Sequence, residues 1–199
     1  MITRKEMTRM LLKEGLLSCL ANNSFESVTV TSLCKASGIT RSTFYLHYSN
    51  IMEIIDDLVD DAIAYSKPGM VDNNNLQTIA QTLSAASDSV SLRESYDTIF
   101  DRLPLCQRII RHKKYLPLFL DEQISEYVLQ RIIGSEKDRQ GLVMAEALGI
   151  SFDVGVSVFV FLVHGLYAIN KEYKWTQSDA WLEAQKVIFE LVYRGLQSK

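Results

Sequence analysis

An all-helical protein is what this 199-residue chain predicts. Apolar residues recur at i, i+3 and i+4 along most of its length, while strand-like alternation of β-branched residues is nearly absent. Only three Pro and nine Gly interrupt the chain, which leaves room for long regular elements. With 47% hydrophobic and 23% charged residues, the composition is that of an ordinary globular protein large enough for a sizeable core in one or two domains.

The elements follow in order. A first helix is predicted over residues 3–21, with Leu12, Leu16, Cys19 and Leu20 on one face and Arg9 and Lys13 off it. The stretch "ANNSFES" ends it. Thr29 precedes a short second helix holding Leu33, Cys34 and Ala36, closed by Ser37-Gly38, and Thr40 caps a third from Arg41 to Tyr48. Asn50, with Glu53 three residues on, starts a fourth helix in the manner of a capping box. In that helix Met52, Ile55, Val59, Ala62 and Ile63 form the buried stripe, and Asp56, Asp57, Asp60 and Asp61 read as a solvated acidic face.

The Pro-Gly-containing stretch "KPGMVDNNN", Lys67–Asn75, is the clearest boundary. The predicted division is a head at 1–48, a connecting helix at 49–66, a linker at 67–75 and an all-helical domain at 76–199. Helical patterns in that last part fall at about 76–89, 92–102, 105–114, 117–133 and 138–148. An apolar helix at 151–171 and a final helix at 178–197 follow, the latter striped by Trp181, Ala184, Ile188, Leu191 and Val192. The apolar run Val154 to Ile169 falls short of the roughly 20 residues of a spanning helix, so it reads as a helix buried on every side, with no membrane involved.

Charge and motif content narrow the function. Residues 1–48 hold six basic and three acidic side chains, leaving fifteen basic and twenty-one acidic residues in the remainder of a chain with net charge -3. A basic N-terminal quarter is a weak pointer to a polyanion. Three widely spaced cysteines, Cys19, Cys34 and Cys106, with no C-x-x-C pair, fit buried thiols in a reducing compartment. The charged start "MITRKEMTRMLLKEG" has no signal-peptide core, and a cytoplasmic location is expected. Scattered histidines and the lack of H-E-x-x-H, G-x-S-x-G or a phosphate-cradling Gly loop argue against an enzyme, and no metal or cofactor is expected.

The informative stretch is "VTVTSLCKASGITRSTFYLHYSN", Val28 to Asn50. Two short helices about a central Gly form a helix-turn-helix pattern, because a sharp turn needs a residue that accepts positive φ. With Phe44 and Tyr48 packed inward, Arg41, Ser42 and Tyr45 face outward, with Leu46 at their edge. Such a surface suits double-stranded DNA. Arg41 fits a guanine edge or a phosphate, and Thr43 a thymine methyl or a phosphate. Tyr45, His47 and the helix starts near Thr29, Thr31 and Thr40 suit phosphate oxygens.

The same residues resemble the DNA-binding region of the TetR family of bacterial transcriptional repressors. The family's pattern is met by Thr29, Ser37-Gly38-Ile39, Thr40, Thr43-Phe44-Tyr45, His47 and Tyr48, with Leu20 and Phe25 at its packing positions upstream. The resemblance covers about residues 5–65. Ser24 and Ile51 depart from it, standing where the family usually has Gly and, in many members, a phosphate-touching Lys. The resemblance implies a homodimeric repressor on a near-palindromic operator, dimerised here through 151–171 and 178–197, and released by a small effector in the C-terminal domain. His112, Tyr115, His164 and Tyr167 either line such a pocket or are satisfied core polar groups or solvated surface residues. The family also contains co-activators that work through a partner protein, which is the alternative reading.

Overall fold

The computed structural model describes residues 2–66, 75–103, 107–108 and 113–197. Among the described residues there are ten α-helices and no strand. They are α1 (Arg4–Asn22), α2 (Val30–Ser37), α3 (Arg41–Tyr45), α4 (Ile51–Ser66), α5 (Asn75–Ser84), α6 (Ser89–Thr98), α7 (Leu116–Leu120), α8 (Ser125–Leu148), α9 (Phe152–Glu172) and α10 (Asp179–Gln197). The all-helical expectation holds. The predicted helix at 105–114 and the linker at 67–75 lie mostly outside the described residues.

The helices group into two compact units that do not follow chain order. Residues 2–66 and 113–132 form unit one; 75–108 and 133–197, as far as described, form unit two. The linear division at 67–75 did not anticipate that 113–132 returns to the N-terminal helices. The segment buries Tyr115, Leu118, Phe119, Ile124, Val128 and Leu129 in that unit's apolar core, and polar ties mark the same placement at its surface. Lys114 pairs with Glu14, Gln123 reaches Glu26, and Arg131 pairs with Asp60 at 2.7 Å.

In unit one the core is built by Leu12, Leu16, Leu33, Phe44, Ile54, Ile55 and Leu58, all fully buried. Local signals set the helix ends. Thr3, Thr29 and Thr40 each accept the N–H of the residue three positions on, and Asn50 Oδ1 accepts that of Glu53. Gly38 closes α2 at φ 66°, ψ 25°, the left-handed conformation the turn was expected to need. Nothing lies within 4 Å of where its Cβ would be, so substitution there is governed by the backbone alone. Gly38→Val is therefore expected to destabilise unit one by about 1–2 kcal/mol, and Gly38→Asn by clearly less, since Asn visits this region. Equal urea midpoints for the two variants would refute that account.

Two expectations about helices are corrected. The third helix ends at Tyr45 rather than Tyr48, the next residues forming a turn in which Tyr48 N–H still bonds to Phe44 O. The segments predicted at 117–133 and 138–148 are instead a short α7 with a Pro in its first turn and one continuous α8 of 24 residues. The polar run "GSEKDRQG" continues the helix with Lys137, Asp138 and Arg139 on its exposed side, while Glu136 is buried and pairs with Arg139.

Unit two is organised by α5, α6 and α10, whose Ile79, Leu83, Leu92, Tyr96, Trp181, Leu182 and Phe189 share one buried cluster with Leu166 of α9. Where α9 crosses α8, a Cβ on Gly155 would stand 2.3 Å from the carbonyl oxygen of Gly141, so the crossing is close because that Cβ is missing. The expectation that α9 is buried on every side is overturned. Its 21 residues are long and apolar enough to cross a membrane, and only 28% of its most apolar window is buried. Gly155, Phe159, Val163, Leu166, Tyr167 and Asn170 face the unit, while Phe161 is 73% exposed and Phe152 and Val154 are also exposed.

Candidate functional site

The residues singled out between Thr29 and His47 lie on α2 and α3, at their caps and in the turn that follows α3. Helix α3 is a single short piece of helix, too short to persist alone. Phe44, fully buried, fixes it, with its ring edge-on to Tyr45 at 5.1 Å and 6.3 Å from the Tyr48 ring. With Phe44 inward, Arg41, Ser42, Tyr45 and Leu46 are exposed and Thr43 and His47 half-buried. His47 Nδ1 is buried without a hydrogen-bond partner.

The hydroxyls at the helix starts are already employed. Thr40 Oγ1 accepts Thr43 N–H at 3.2 Å and lies within hydrogen-bond distance of the Ser42 and Thr43 hydroxyls, at 3.0 and 2.8 Å. Thr29 Oγ1 accepts Ser32 N–H at 3.1 Å, and Ser32 Oγ accepts Thr29 N–H in return. Thr29 and Thr40 thus act first as caps, whereas Thr31 is exposed. Arg41 enters no hydrogen bond or ion pair with the described residues. Burial pushes the Cys34 thiol up, the charge of Arg41 pulling the other way.

The acidic run on α4 corrects the expectation of a solvated face. Asp57 accepts from both Arg9 Nε, at 3.0 Å, and the Tyr48 hydroxyl, at 2.5 Å. Asp61 pairs with Lys13, Asp60 with Arg131, and Asp56 accepts the Tyr127 hydroxyl. Burial alone would raise the Asp57 carboxyl, but the bonds from Arg9 and Tyr48 outweigh it and hold it below the usual carboxylate range. Burial, followed by the bond to Asp57, drives the Tyr48 hydroxyl well above its ordinary value, keeping it a neutral donor.

This network narrows the basic surface. Arg9 and Lys13 are spent internally, leaving Arg4, Lys5, Lys35 and Arg41 of the six basic residues in the first 48 without an ion pair among the described residues. The signal for the pairing was present in the sequence: Arg9 and Lys13 are four apart, as are Asp57 and Asp61.

One residue that sequence reasoning passed over is Asp121. Nine-tenths buried, it accepts Phe25 N–H at 2.6 Å through Oδ2, and the N–H groups of Gln123 and Ile124 at 3.0 and 3.2 Å through Oδ1. It therefore fixes the turn Phe25–Ser27, three residues before α2 begins. The four residues considered for an effector pocket are not brought together. Tyr115 belongs to unit one, and His164 and Tyr167 to unit two, while His112 is outside the described residues. His164 Nδ1 bonds to Val160 O, and Tyr167 is buried edge-on against Trp175. Compared with models of known protein families, with curated proteins and with solved structures, the chain finds no match in any of the three.

Proposed function

We propose that this protein is a DNA-binding transcriptional regulator, a homodimeric repressor built on an N-terminal helix-turn-helix head and resembling the TetR family. The observation that carries the reading is the outer face of α3: exposed Arg41, Ser42 and Tyr45 standing over a fully buried Phe44, with the Arg41 guanidinium uncommitted. Arg41 reads a base edge or clamps a phosphate, and Tyr45 and the exposed Thr31 and Lys35 bind the backbone. In a dimer two such faces enter major grooves about 34–36 Å apart. A small effector that favours a different spacing releases the operator.

Fluorescence anisotropy against genomic fragments at low salt tests this. Arg41→Ala is expected to cost about 1–3 kcal/mol of operator binding and to relax one base position. Tyr45→Phe is expected to weaken all sequences alike. The absence of any duplex preferred over random DNA would end the proposal. The same face docking a protein is a second reading, favoured by Leu46, which is 80% exposed; unchanged DNA affinity in an Arg41→Ala, Tyr45→Ala double variant would select it.

Self-association is supported by the outer faces of α9 and α10. Val154 and Phe161 on the one, and Val187 and Leu191 on the other, are 48, 73, 50 and 66% exposed, at helical spacing. Large apolar side chains left uncovered at helical spacing are what a partner's apolar face would cover. Sedimentation is expected to give a dimer, and Phe161→Glu a monomer whose unit two melts as before. A monomeric parent protein would refute it.

A further inference from the structure

Two of the helices that organise unit two, α5 and α10, leave a gap along one side of their contact. On α5, Ile79 and Leu83 fill the core, while Ala80, Ser84 and Ala85 line the side toward the gap. On α10, Glu190, Tyr193 and Arg194 stand at i, i+3 and i+4 and so share one side of that helix. The small α5 side chains are too short to fill the space opposite them. What remains is an open cavity of about 400 Å³, a size that suits a small molecule.

The lining is mostly apolar, with one carboxylate set in it. The Glu190 side chain is 22% exposed, and Ser84 Oγ donates to its Oε1 at 2.7 Å. Its Oε2 lies 3.6 Å from Arg194 Nη2, too far for a hydrogen bond. The Arg194 side chain is 77% exposed, so solvent screens this ion pair and it contributes little. Lys186, one turn earlier on α10, donates instead to Ala86 O at 2.8 Å. A carboxylate offers about four acceptor positions, and among the described residues Ser84 alone fills one with a hydrogen bond. Tyr193 packs against the core cluster and adds an aromatic side chain to the lining.

We infer that this cavity binds a small organic cation, a protonated primary amine carrying a compact apolar body. The ammonium donates to the open positions of the Glu190 carboxylate, and the apolar body lies against Ala80, Ala85 and Tyr193. An ammonium close to an aromatic ring is attracted to its face as well. Charge decides against an anion, which would meet Glu190 in the wall and Arg194 only from the solvent side. A neutral alcohol makes a similar hydrogen bond, but one without the added strength of charge. Arg194 gives way at small cost, since its long stem carries the guanidinium into water. The site stands on unit two alone, and the DNA reading neither supports it nor falls with it.

The full chain, labelled with 13C at its alanine methyls, is titrated with 2-phenylethylamine, 2-phenylethanol and 3-phenylpropionate at neutral pH and followed by NMR. The three probes share one apolar body and differ in a positive, neutral or negative head. The amine is expected to shift the Ala80 and Ala85 methyl resonances. It should also bind about tenfold more tightly than either other probe, as one hydrogen bond to a charged group allows. Glu190→Gln keeps an acceptor for Ser84 and removes the charge, so the amine should bind that variant no better than the alcohol does. Tighter binding of 3-phenylpropionate, equal binding of amine and alcohol, or binding of none overturns the inference. So do shifts that leave Ala80 and Ala85 unmoved, or an amine affinity that Glu190→Gln does not change. Should the variant fail to fold, the parent protein's preference and the place of its shifts still decide.

Discussion

Phe44→Ala is expected to destabilise unit one by about 3–5 kcal/mol, the usual cost of removing a fully buried aromatic ring. The site cannot collapse easily to fill the space. Helix α3 spans only Arg41–Tyr45, and a helix of that length has no stability of its own. Phe44 and Tyr48 are its inward anchors, at 0 and 3% exposure. Removing the first frees the segment that presents Arg41 and Tyr45, so loss of stability and loss of the proposed operator binding should appear together. Urea unfolding followed alongside DNA anisotropy checks both. A shift below about 0.5 kcal/mol, the range of ordinary surface substitutions, would show that α3 is held by something else.

The second large effect is expected at Asp121. Asp121→Ala removes the acceptor of three backbone N–H groups, two before α8 and one, that of Phe25, across 96 positions of sequence. Leaving one such donor unanswered in a buried setting costs about 1–3 kcal/mol, and more where the lost partner is charged. About 3 kcal/mol is therefore expected for unit one. Asp121→Asn keeps an oxygen for some of these donors and should lose less. Hydrogen exchange offers a local readout: the Phe25 amide should lose protection more than amides in the middle of α1. Uniform loss across unit one, or none, would refute the assignment of Asp121 as the tie to the turn before α2.

The helical class and most N-terminal boundaries were legible because their causes are local. Thr29, Thr40 and Asn50 cap helices within three residues of themselves, and Gly38 adopts the one backbone conformation its neighbours avoid. The inward placement of Phe44 and Tyr48 follows equally from helical spacing. The acidic run of α4 was misjudged because an aspartate looks the same in sequence whether it meets water or an arginine. Its partners, Arg9 and Lys13, lie 48 residues away. The gap expected between 133 and 138 does not occur, because polar residues such as Lys137, Asp138 and Arg139 continue a helix where they face solvent.

From the order of residues alone came the helical class, the caps, the turn at Gly38 and the outward set from Arg41 to Tyr45, since each depends on contacts a few positions apart. Packing in three dimensions settled that 113–132 joins the N-terminal helices, that Asp57 and Asp121 serve as internal acceptors, that α9 leaves one apolar side uncovered, and that Glu190 of α10 meets Ser84 of α5. Those features depend on pairings between distant segments, and a buried group's partner is determined by where the chain returns, which periodicity does not encode.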